Sequence, residues 1–450
     1  MNTEAYVSSV IEKIKNKDGH EVEFIQAVEE VYHSLIPVLD KRPDLVEANI
    51  LERMCEPERM IIFKVPWMDD DGNIQVNRGY RVQFNSAIGP YKGGIRFSDS
   101  VNLSVIKFLA FEQIFKNALT GLPIGGGKGG SDFNPQNKSD NEIMRFCQSF
   151  MMELHRHIGG NIDSPAGDIG VGGREIGFLF GQYKRLKNQY DAAAVTGKSV
   201  DISGSILRPE ATGYGVAYFA QEILSNFDLD FKGKTVAASG YGNVCWGLCR
   251  KIAALGGKIV TISSREGYVY DPEGVTTEEK INYLVKIRMS NELTIKDYAK
   301  EFNCEFYPSV KPWTVKVDLV IPCATQNEIT IDDAKDIVNN NVKFVVEGSN
   351  MPITNEAHEY LKSNDVVVGP GKAANAGGVS VSALEMSQNS MRYAWSEEEV
   401  DKKLHEIMKN IYSSCKQAAA QYGYGYDLIA GANISGFLKV ATAMKIQGDY

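Results

Sequence analysis

The sequence predicts an α/β protein built from two domains, the second of which carries a doubly wound parallel sheet. The chain has 450 residues, which is more than one ordinary hydrophobic core supports. After roughly residue 200, short β-rich runs alternate with helical stretches, and this alternation is typical of βαβ units. We therefore expect an N-terminal α/β domain and a C-terminal doubly wound domain.

The first domain is predicted to begin with helices and to continue with a hairpin. Apolar residues recur at helical spacing from Val7 to Ile14 and again from Phe24 to Leu35. The polar stretch Asp69–Asn73 separates two β-rich runs, as the turn of a hairpin does. The predicted elements are strands at Met60–Trp67 and Ile74–Phe84 and helices at Val101–Leu119 and Asn141–His155.

The second domain is predicted from a series of short β runs separated by helical stretches. We place the first domain at residues 1–203 and the second at residues 204–426, with the crossover near Ser203–Arg208. Helical patterns near Glu397–Gln421 and Gly436–Ile446 follow the final strand, and residues 427–450 are expected to pack back on the first domain. The β runs are Thr235–Ser239, Lys258–Ser263, Val317–Pro322, Phe344–Glu347 and Val366–Val368.

The composition argues against several classes of protein. A net charge of −9 disfavours non-specific binding to nucleic acid or to anionic membranes. No run of about 18 apolar residues exists, so no membrane span is predicted, and the polar N-terminus does not resemble a signal peptide. The 7 cysteines lack metal-ligand spacing, so we expect free thiols, a cytoplasmic location and no bound metal.

A dinucleotide-binding turn is predicted where the first strand of the second domain ends. The strand Thr235–Ser239 runs into Gly240, Gly242, Asn243 and Val244, and a helical pattern follows with Trp246, Leu248, Ile252 and Leu255. Gly240 would make the tight turn, and Gly242 would let the backbone approach a pyrophosphate at the helix N-terminus. A plain strand-to-helix turn is the alternative, but the alternating pattern favours a Rossmann cofactor domain.

The end of the next strand favours NADP over NAD. A carboxylate at this position would bind the ribose hydroxyls of NAD. The chain instead has Ser263, Ser264 and Arg265, and two hydroxyls with a guanidinium suit a 2′-phosphate. Glu266 lies one residue further along, which keeps NAD as the second choice. An Arg265 that merely faces solvent is the structural alternative.

Lys128 is the first candidate catalytic residue. It lies in a glycine-rich segment, Gly121–Phe133, that contains almost no other reactive side chain, and we expect this segment to form a loop. Glycine lets a backbone pass close to a ligand, and partial desolvation lowers the pKa of an ammonium toward a range useful in catalysis. A Walker A loop does not fit, because Leu122 and Gly129 replace its first glycine and its Ser/Thr. Another phosphate-binding loop or a flexible turn is the alternative.

Further polar side chains are predicted to join Lys128. Lys92 and Asp168 lie in glycine-flanked segments that we expect to form tight loops. Gln113 and Lys116 are three residues apart on one predicted helix, so both can point to the same place. Each lysine by itself is more usual at a surface. Three lysines together with one aspartate suit a dianionic substrate and proton transfer.

Several segments carry a pattern that is specific to one enzyme family. They are Pro90–Arg96, Gly126–Phe133, Pro165–Gly170, Arg208–Gly215 and Asn375–Val379. In these segments, and over essentially its whole length, the chain resembles the small hexameric glutamate dehydrogenases of the Glu/Leu/Phe/Val dehydrogenase family. The resemblance implies an N-terminal substrate domain that also drives assembly of a homohexamer, a C-terminal cofactor domain, and a cleft that closes during turnover.

The resemblance also implies a role for each matching residue. Lys128 resembles the catalytic lysine that polarises the 2-oxo group or meets the substrate amine, and Asp168 resembles the carboxylate that shuttles protons. Lys92 and Ser382 resemble the pair that binds the distal carboxylate. The other implied substrate positions are Gly93, Gln113, Lys116, Gly167, Arg208 and Val379, with Thr196 on the cleft wall. The implied cofactor positions are Thr212, Gly240, Gly242, Asn243, Val244, Ser263, Ser264, Arg265, Ala324, Asn350 and Asn375.

The implied activity is the reversible oxidative deamination of L-glutamate to 2-oxoglutarate and ammonium with NADP, an activity of amino-acid metabolism and ammonia assimilation. A branched-chain or aromatic amino-acid dehydrogenase is one alternative. Those relatives place apolar groups where this chain has Lys92 and Ser382, and a buried lysine facing an apolar substrate is unfavourable. A catalytically silent Rossmann regulator is the other alternative, against which the intact Lys128 and Asp168 weigh.

Overall fold

The described part of the chain, residues 2–290 and 292–448 of a computed structural model, folds into helices and two sheets. The strands are β1 (Arg59–Met68), β2 (Ile74–Asn85), β3 (Tyr91–Phe97), β4 (Gly125–Ser131), β5 (Asp163–Gly167), β6 (Thr235–Ala238), β7 (Lys258–Ser264), β8 (Gly267–Tyr270), β9 (Glu305–Pro308), β10 (Leu319–Ile321), β11 (Phe344–Val346) and β12 (Val367–Gly369). The α-helices are α1 (Thr3–Asp18), α2 (Val22–Ser34), α3 (Ile36–Lys41), α4 (Pro43–Glu47), α5 (Ile50–Met54), α6 (Leu103–Leu119), α7 (Asp140–Leu154), α8 (Gly173–Lys187), α9 (Ala211–Ser225), α10 (Asn243–Ala254), α11 (Glu278–Met289), α12 (Ile295–Glu301), α13 (Ile331–Asn339), α14 (Asn355–Ser363), α15 (Gly371–Ala374), α16 (Gly377–Met391), α17 (Glu397–Gln421) and α18 (Leu428–Gln447).

The first sheet has five strands in the order β1-β2-β4-β3-β5. Strands β1 and β2 pair in antiparallel fashion from Arg59 opposite Gln83 to Met68 opposite Ile74, so the predicted hairpin is confirmed. Strand β3 pairs in parallel with both β4 and β5. Helix α6 packs on one face of the sheet and helices α7 and α8 pack on the other, so strands β3, β4 and β5 are buried on both sides.

The second sheet has seven strands in the order β12-β11-β10-β6-β7-β8-β9. The strands from β12 to β7 are all parallel, and apolar clusters with helices cover both faces. The predicted α/β fold with a doubly wound sheet is therefore confirmed. Strands β8 and β9 extend this sheet in antiparallel fashion. The sequence did not predict these two strands.

Helix caps explain where the helices begin. Helix α6 begins after Asn102, whose side chain accepts from the backbone N–H of Val105, rather than at the predicted Val101. Helix α18 begins after Asp427, which caps the N–H groups of Ile429 and Ala430, well before the predicted start at Gly436. Since α18 is buried on most of its surface, its first turns show no amphipathic pattern that a sequence can reveal.

Helix α18 packs against the N-terminal half of the chain. Ile434, Phe437 and Met444 share an apolar cluster with Phe24 of α2. A Cβ on Gly436 would lie 3.0 Å from the backbone oxygen of Phe115 on α6, so the missing side chain lets the two helices approach closely. The predicted division of the chain at residue 203 falls in the segment between β5 and α9 and stays a prediction.

Candidate active site

Lys128 lies in the middle of strand β4, so the prediction of a glycine-rich loop was wrong. Alternate residues of a strand face the same side, and on β4 these are Gly126, Lys128 and Gly130. A Cβ on Gly126 would lie 2.6 Å from Cγ1 of Ile114, and one on Gly130 would lie 2.9 Å from Cδ1 of Ile106, both on helix α6. The glycines therefore let the helix rest on the strand, and Lys128 is the side chain left between them.

The opposite face of β4 covers a buried ion pair. Arg81 of β2 donates from Nε to Oδ2 of Asp163 at 2.8 Å, and both side chains are fully buried. A Cβ on Gly129 would lie 3.2 Å from Cδ of Arg81, so glycine is again needed where the strand crosses a bulky group. Arg81 and Asp163 thus join β2 to β5 beneath the strand that carries Lys128.

Lys92 and Gly93 lie in strand β3, so the loop predicted for them was also wrong. A Cβ on Gly93 would lie 1.7 Å from the backbone oxygen of Gly127, and this close approach explains the glycine. The Lys92 ammonium donates to the backbone oxygen of Ser164 at 2.6 Å and to Oγ1 of Thr196 at 2.7 Å. Burial holds the pKa of Lys92 well below its usual value.

Asp168 follows strand β5 directly and lies between two cations. Arg96 of β3 donates from Nε to Oδ2 of Asp168 at 2.7 Å, and Nζ of Lys128 lies 3.3 Å from Oδ1. Burial by itself raises the pKa of Asp168, but Lys128 and Arg96 outweigh it and hold that pKa below its usual value. Burial lowers the pKa of Lys128, and the charge of Arg96 lowers it as well. The charge of Asp168 acts in the opposite direction. Asp168 is therefore held as a carboxylate, and Lys128 releases its proton more readily than an exposed lysine does.

Lys116 links this part of the site to the second sheet. Its Nζ donates to Oδ1 of Asn350 at 3.0 Å, and Nδ2 of Asn375 donates to the same oxygen at 2.9 Å. Burial and the nearby charge of Lys128 lower the pKa of Lys116 to about 8. Gln113, one turn earlier on α6, donates to Oδ1 of Asn117 at 2.7 Å. The candidate substrate and cofactor residues thus face each other across a cleft.

The residues predicted to bind a distal carboxylate have different partners. Ser382 of α16 accepts from Nε of Arg208 at 2.8 Å, whereas Lys92 is bound to Thr196. The charge of Arg208 nevertheless contributes to the lowered pKa of Lys92, after the larger effect of burial. Burial also lowers the pKa of Arg208. Two desolvated cations therefore lie in the same region, where an anionic group would stabilise both.

The predicted G-x-G turn fits a dinucleotide. Gly240 has φ +77°, which an L side chain rarely adopts, and its N–H donates to Oγ of Ser263 at 2.9 Å. Helix α10 begins at Asn243, after Gly242, and nothing lies within 4 Å of where a Cβ on Gly242 would be. A helix N-terminus with open space in front of it suits a pyrophosphate. The buried Oδ1 of Asn375 has no hydrogen-bond partner among the described residues and could accept from an amide.

The other predicted cofactor residues lie at varying distances from this turn. A Cβ on Gly240 would lie 3.5 Å from Cβ of Ala324, and one on Gly348 would lie 3.5 Å from Cγ1 of Val244. Thr212 packs against helix α16 instead. A Cβ on Gly378 of that helix, the neighbour of Val379, would lie 2.4 Å from Oγ1 of Thr212. Gly167, which was predicted to bind the substrate, is the last residue of β5 and lies next to Asp168.

The strand end beyond Ser263 carries charges of both signs. Ser264 accepts from the N–H of Glu266 at 3.1 Å, and Arg265 is exposed. Nζ of Lys296 lies 3.2 Å from Oε1 of Glu266. The carboxylate that could bind the ribose of NAD is thus paired with a lysine.

Sequence reasoning missed Arg96 and Lys296. Arg96 is the last residue of the segment Pro90–Arg96. It lies two positions after Gly94 on one strand, so both face the same side. This spacing could have been used to predict that Arg96 lies beside Asp168. Nothing in the sequence pointed to Lys296, because it lies on helix α12 and reaches Glu266 only through the packing of that helix against β8. Among the described residues, no group of three or more His, Cys, Asp or Glu side chains is arranged to hold a metal ion. No helix in residues 2–290 or 292–448 has the length and apolar character that a membrane span requires.

Comparison with known proteins agrees with this geometry over the whole chain. Residues 203–448 match the family model described as Glutamate/Leucine/Phenylalanine/Valine dehydrogenase, and residues 57–185 match that of the Glu/Leu/Phe/Val dehydrogenase dimerisation domain. The NAD-specific glutamate dehydrogenase of Clostridium symbiosum is 56% identical over 444 residues, which cover 98% of this chain and 99% of the relative. The NADP-specific glutamate dehydrogenase of Haemophilus influenzae is 52% identical over 451 residues, which cover 100% of both.

A solved structure leads to the same assignment. Glutamate dehydrogenase of Plasmodium falciparum superposes with a TM-score of 0.96 at 49% identity and covers 100% of this chain and 96% of that one. Fold, site and matches together define an oxidoreductase with a Rossmann-type domain. The chain belongs to the Glu/Leu/Phe/Val dehydrogenase family, because the two family models cover well over half of its residues.

Proposed function

We propose that the chain catalyses the reversible oxidative deamination of L-glutamate to 2-oxoglutarate and ammonium with a nicotinamide dinucleotide. The observation that carries this proposal is the position of Asp168, which contacts Lys128 at 3.3 Å and Arg96 at 2.7 Å. A carboxylate and a lysine of lowered pKa in contact supply a proton carrier and a hydrogen-bond donor for an amino or oxo group. The names of the relatives support glutamate as the substrate.

The residues of the site perform the steps that do not involve the hydride. When bound, the nicotinamide accepts the hydride from the α-carbon of glutamate. Lys116 binds the α-carboxylate, and Asp168 takes the proton that the substrate amine loses as the imine forms. Asp168 then passes protons between water and nitrogen while water adds and ammonia leaves. Lys128 donates to the oxygen that becomes the 2-oxo group, which stabilises the negative charge that develops there.

Substrate choice is proposed to depend on Lys92, with Ser382 and Arg208. The distal carboxylate of glutamate would compensate the buried Lys92 and the half-buried Arg208, whose lowered pKa values reflect their desolvation. An apolar side chain would leave them only the carboxylate of Glu385, which already pairs with Lys198 at 2.6 Å. A buried charge that is only partly compensated in this way costs roughly several kcal/mol. Leucine, valine and phenylalanine are therefore expected to be poor substrates.

We propose NADP as the preferred cofactor and NAD as the second choice. Lys296 compensates Glu266 at 3.2 Å, and Arg265 adds an exposed cation, so the strand end favours a 2′-phosphate. The relatives do not decide this point, since those of similar identity are named NAD-specific or NADP-specific. Arg265→Asp is expected to lower the preference for NADP by about tenfold to a hundredfold in kcat/KM, the worth of one charged hydrogen bond. A wild type that uses NAD better would show that Glu266 binds the ribose.

Assembly into a homohexamer is proposed through the first domain, residues 1–203, with residues 204–426 as the cofactor domain and residues 427–450 packing back. Several large apolar side chains of strands β1 and β2 are exposed in the isolated chain, which supports a subunit interface there. They include Ile62 at 51%, Ile74 at 65% and Val76 at 61% exposure. A cytoplasmic location is proposed because all of the cysteines are free thiols, as in reducing compartments.

One assay tests the activity. The purified chain is mixed with L-glutamate, L-leucine or L-phenylalanine and with NAD or NADP, and reduced nicotinamide is followed by absorbance. The reverse reaction is started with 2-oxoglutarate and ammonium chloride. We expect turnover with glutamate only. Turnover with an apolar amino acid but not with glutamate would refute the substrate, and no turnover with any pair would refute the activity.

A further inference from the structure

A cavity of about 620 Å³ lies next to the reaction site. Lys116 and Lys128 form part of its wall, and the rest comes from helices α2, α6, α14, α15 and α18 and from the segment after β11. Carboxylates dominate this other part of the wall, with Glu30, Glu112 and Glu347 among them. The cavity thus connects the cations that face the substrate with a region of opposite charge.

One lysine is shared by these carboxylates. Nζ of Lys372 lies 3.3 Å from Oε2 of Glu112 and 3.5 Å from Oε1 of Glu30, and it donates to Oδ1 of Asn433 at 2.6 Å. Lys372 is almost completely buried, and the side chain of Glu112 is more deeply buried than that of Glu30. Glu347 brings the carboxyl groups to three, and the charge of Lys116 acts on Glu112 as well as that of Lys372. With all three carboxyls ionised, the cluster therefore carries one more negative than positive charge.

Glu347 has an oxygen free for a ligand. The residue is 9% exposed, and its Oε2 accepts from the N–H of Gly371 at 2.6 Å. Its Oε1 has no hydrogen-bond partner among residues 2–290 and 292–448, although the residue lines the cavity. Burial raises the pKa of Glu347 to about 8. A cation held there would take the place of the proton that this carboxyl otherwise keeps near neutral pH.

We propose that this cavity binds an ammonium ion at Glu347 and Glu112, as a holding site for the nitrogen that the reaction consumes or releases. The inference rests on the proposed function, which makes ammonium a reactant. Ammonium is a small cation with N–H donors and no acceptor. It therefore suits Oε1 of Glu347, which lacks a donor, and the lone pairs that the long contacts of Lys372, at 3.3 and 3.4 Å, leave open on the Glu112 oxygens. Repulsion by Lys116 and Lys128 is offset once a dianionic oxo acid is bound to them.

The variants Glu347→Gln and Glu112→Gln test this site in the reductive direction. Gln keeps a carbonyl oxygen for the N–H of Gly371 and removes only the charge at Glu347. We expect the KM for ammonium to rise about fivefold to a hundredfold in either variant, since a charged hydrogen bond is lost. The KM values for 2-oxoglutarate and for the reduced cofactor should stay within about twofold. Glu359→Gln is the matched control, because Glu359 lines the same cavity but its side chain is 76% exposed, and its KM for ammonium should not change.

Two results would overturn the proposal: an unchanged KM for ammonium in both variants, or an equal rise in all three KM values. The second would mean that the carboxylates only hold the two halves of the chain together. Crystals of the wild-type protein grown in rubidium chloride give a readout that needs no activity, since rubidium resembles ammonium in size and charge. Anomalous density between Glu347 and Glu112 supports the site, and its absence contradicts it. A wild type without glutamate turnover would refute the proposed function, and the rubidium crystals would still decide the cation site.

Discussion

The Asp168→Asn substitution tests the proton carrier of the site. Asparagine keeps the size of the side chain and an oxygen that can accept from Arg96, but it carries no charge and takes up no proton. The lost interaction with Lys128, at 3.3 Å, is worth between about 1 kcal/mol at the dielectric constant of water and about 5 kcal/mol at an effective value near 20. Loss of a general acid–base group usually lowers the rate about 10²-fold to 10⁴-fold, so we expect kcat to fall within this range.

The same variant should also shift the pH dependence. In the wild type the charge of Asp168 raises the pKa of Lys128, against the lowering by burial and by Arg96. Without that charge the pKa of Lys128 falls further, so the limb of the kcat/KM profile that reports Lys128 moves to lower pH. Steady-state rates across pH measure this shift, and circular dichroism checks the fold.

The control is Asp132→Asn, directly after strand β4, which carries Lys128. Asp132 accepts from Nδ2 of Asn77 and from the N–H of Arg78 at 2.9 Å, and no contact joins it to Lys128. Its activity should stay within about twofold of wild type. A loss below about tenfold in Asp168→Asn, or an unmoved pH limb, would refute the assignment of Asp168 as the proton carrier, because general acid–base groups contribute more.

Three further perturbations address the rest of the site. Lys128→Ala is expected to abolish glutamate turnover in the absorbance assay, because the lysine acts at the reacting carbon. The affinity for the cofactor, measured by fluorescence titration, should stay nearly unchanged. Lys92→Leu combined with Ser382→Val should weaken glutamate and improve norvaline or methionine, as measured by the ratio of kcat/KM values, because the distal carboxylate loses its cation. Glu347→Gln should alter the pH dependence of stability. The pKa of Glu347 is about 8 against an unperturbed 4.5, so the wild type loses stability as pH rises from about 4.5 to about 8, by at most about 5 kcal/mol. Thermal unfolding at about pH 5 and about pH 9 should show a smaller loss in the variant, since Gln does not titrate.

Each of these has a result that would contradict it. Lys128→Ala with a wild-type fold and activity retained within about tenfold would place the chemistry elsewhere. A double variant at Lys92 and Ser382 that still prefers glutamate by the original margin would mean that Arg208 alone binds the distal carboxylate. Equal pH slopes of stability in wild type and Glu347→Gln would mean that this carboxyl titrates normally.

The hairpin of β1 and β2 was predicted from two β-rich runs around a polar turn, and the parallel strands of the second sheet from short β runs that alternate with helical stretches. The bounds of the helices differ by a few residues, because caps such as Asn102 set the helix starts. Helix α18 was predicted too short, since burial on most sides leaves no periodic pattern. The charge pair of Glu266 and Lys296 was beyond prediction, because it depends on the packing of helix α12 against β8.

The local structure predicted from the sequence was wrong at the glycine-rich segments of the site. Glycine lowers strand propensity and usually indicates a turn, which is why a loop was expected around Lys128. In the fold the same glycines serve packing, because helix α6 and Arg81 approach β4 from its two faces and leave no space for a Cβ at Gly126 or Gly129. A strand held from both sides moves less than a loop, and this rigidity keeps Lys128 at a fixed distance from Asp168. Gly126→Ala should therefore displace α6 and lower activity together with stability, whereas a true loop glycine would tolerate alanine. A variant with wild-type activity and melting temperature would show that the strand does not need this close packing.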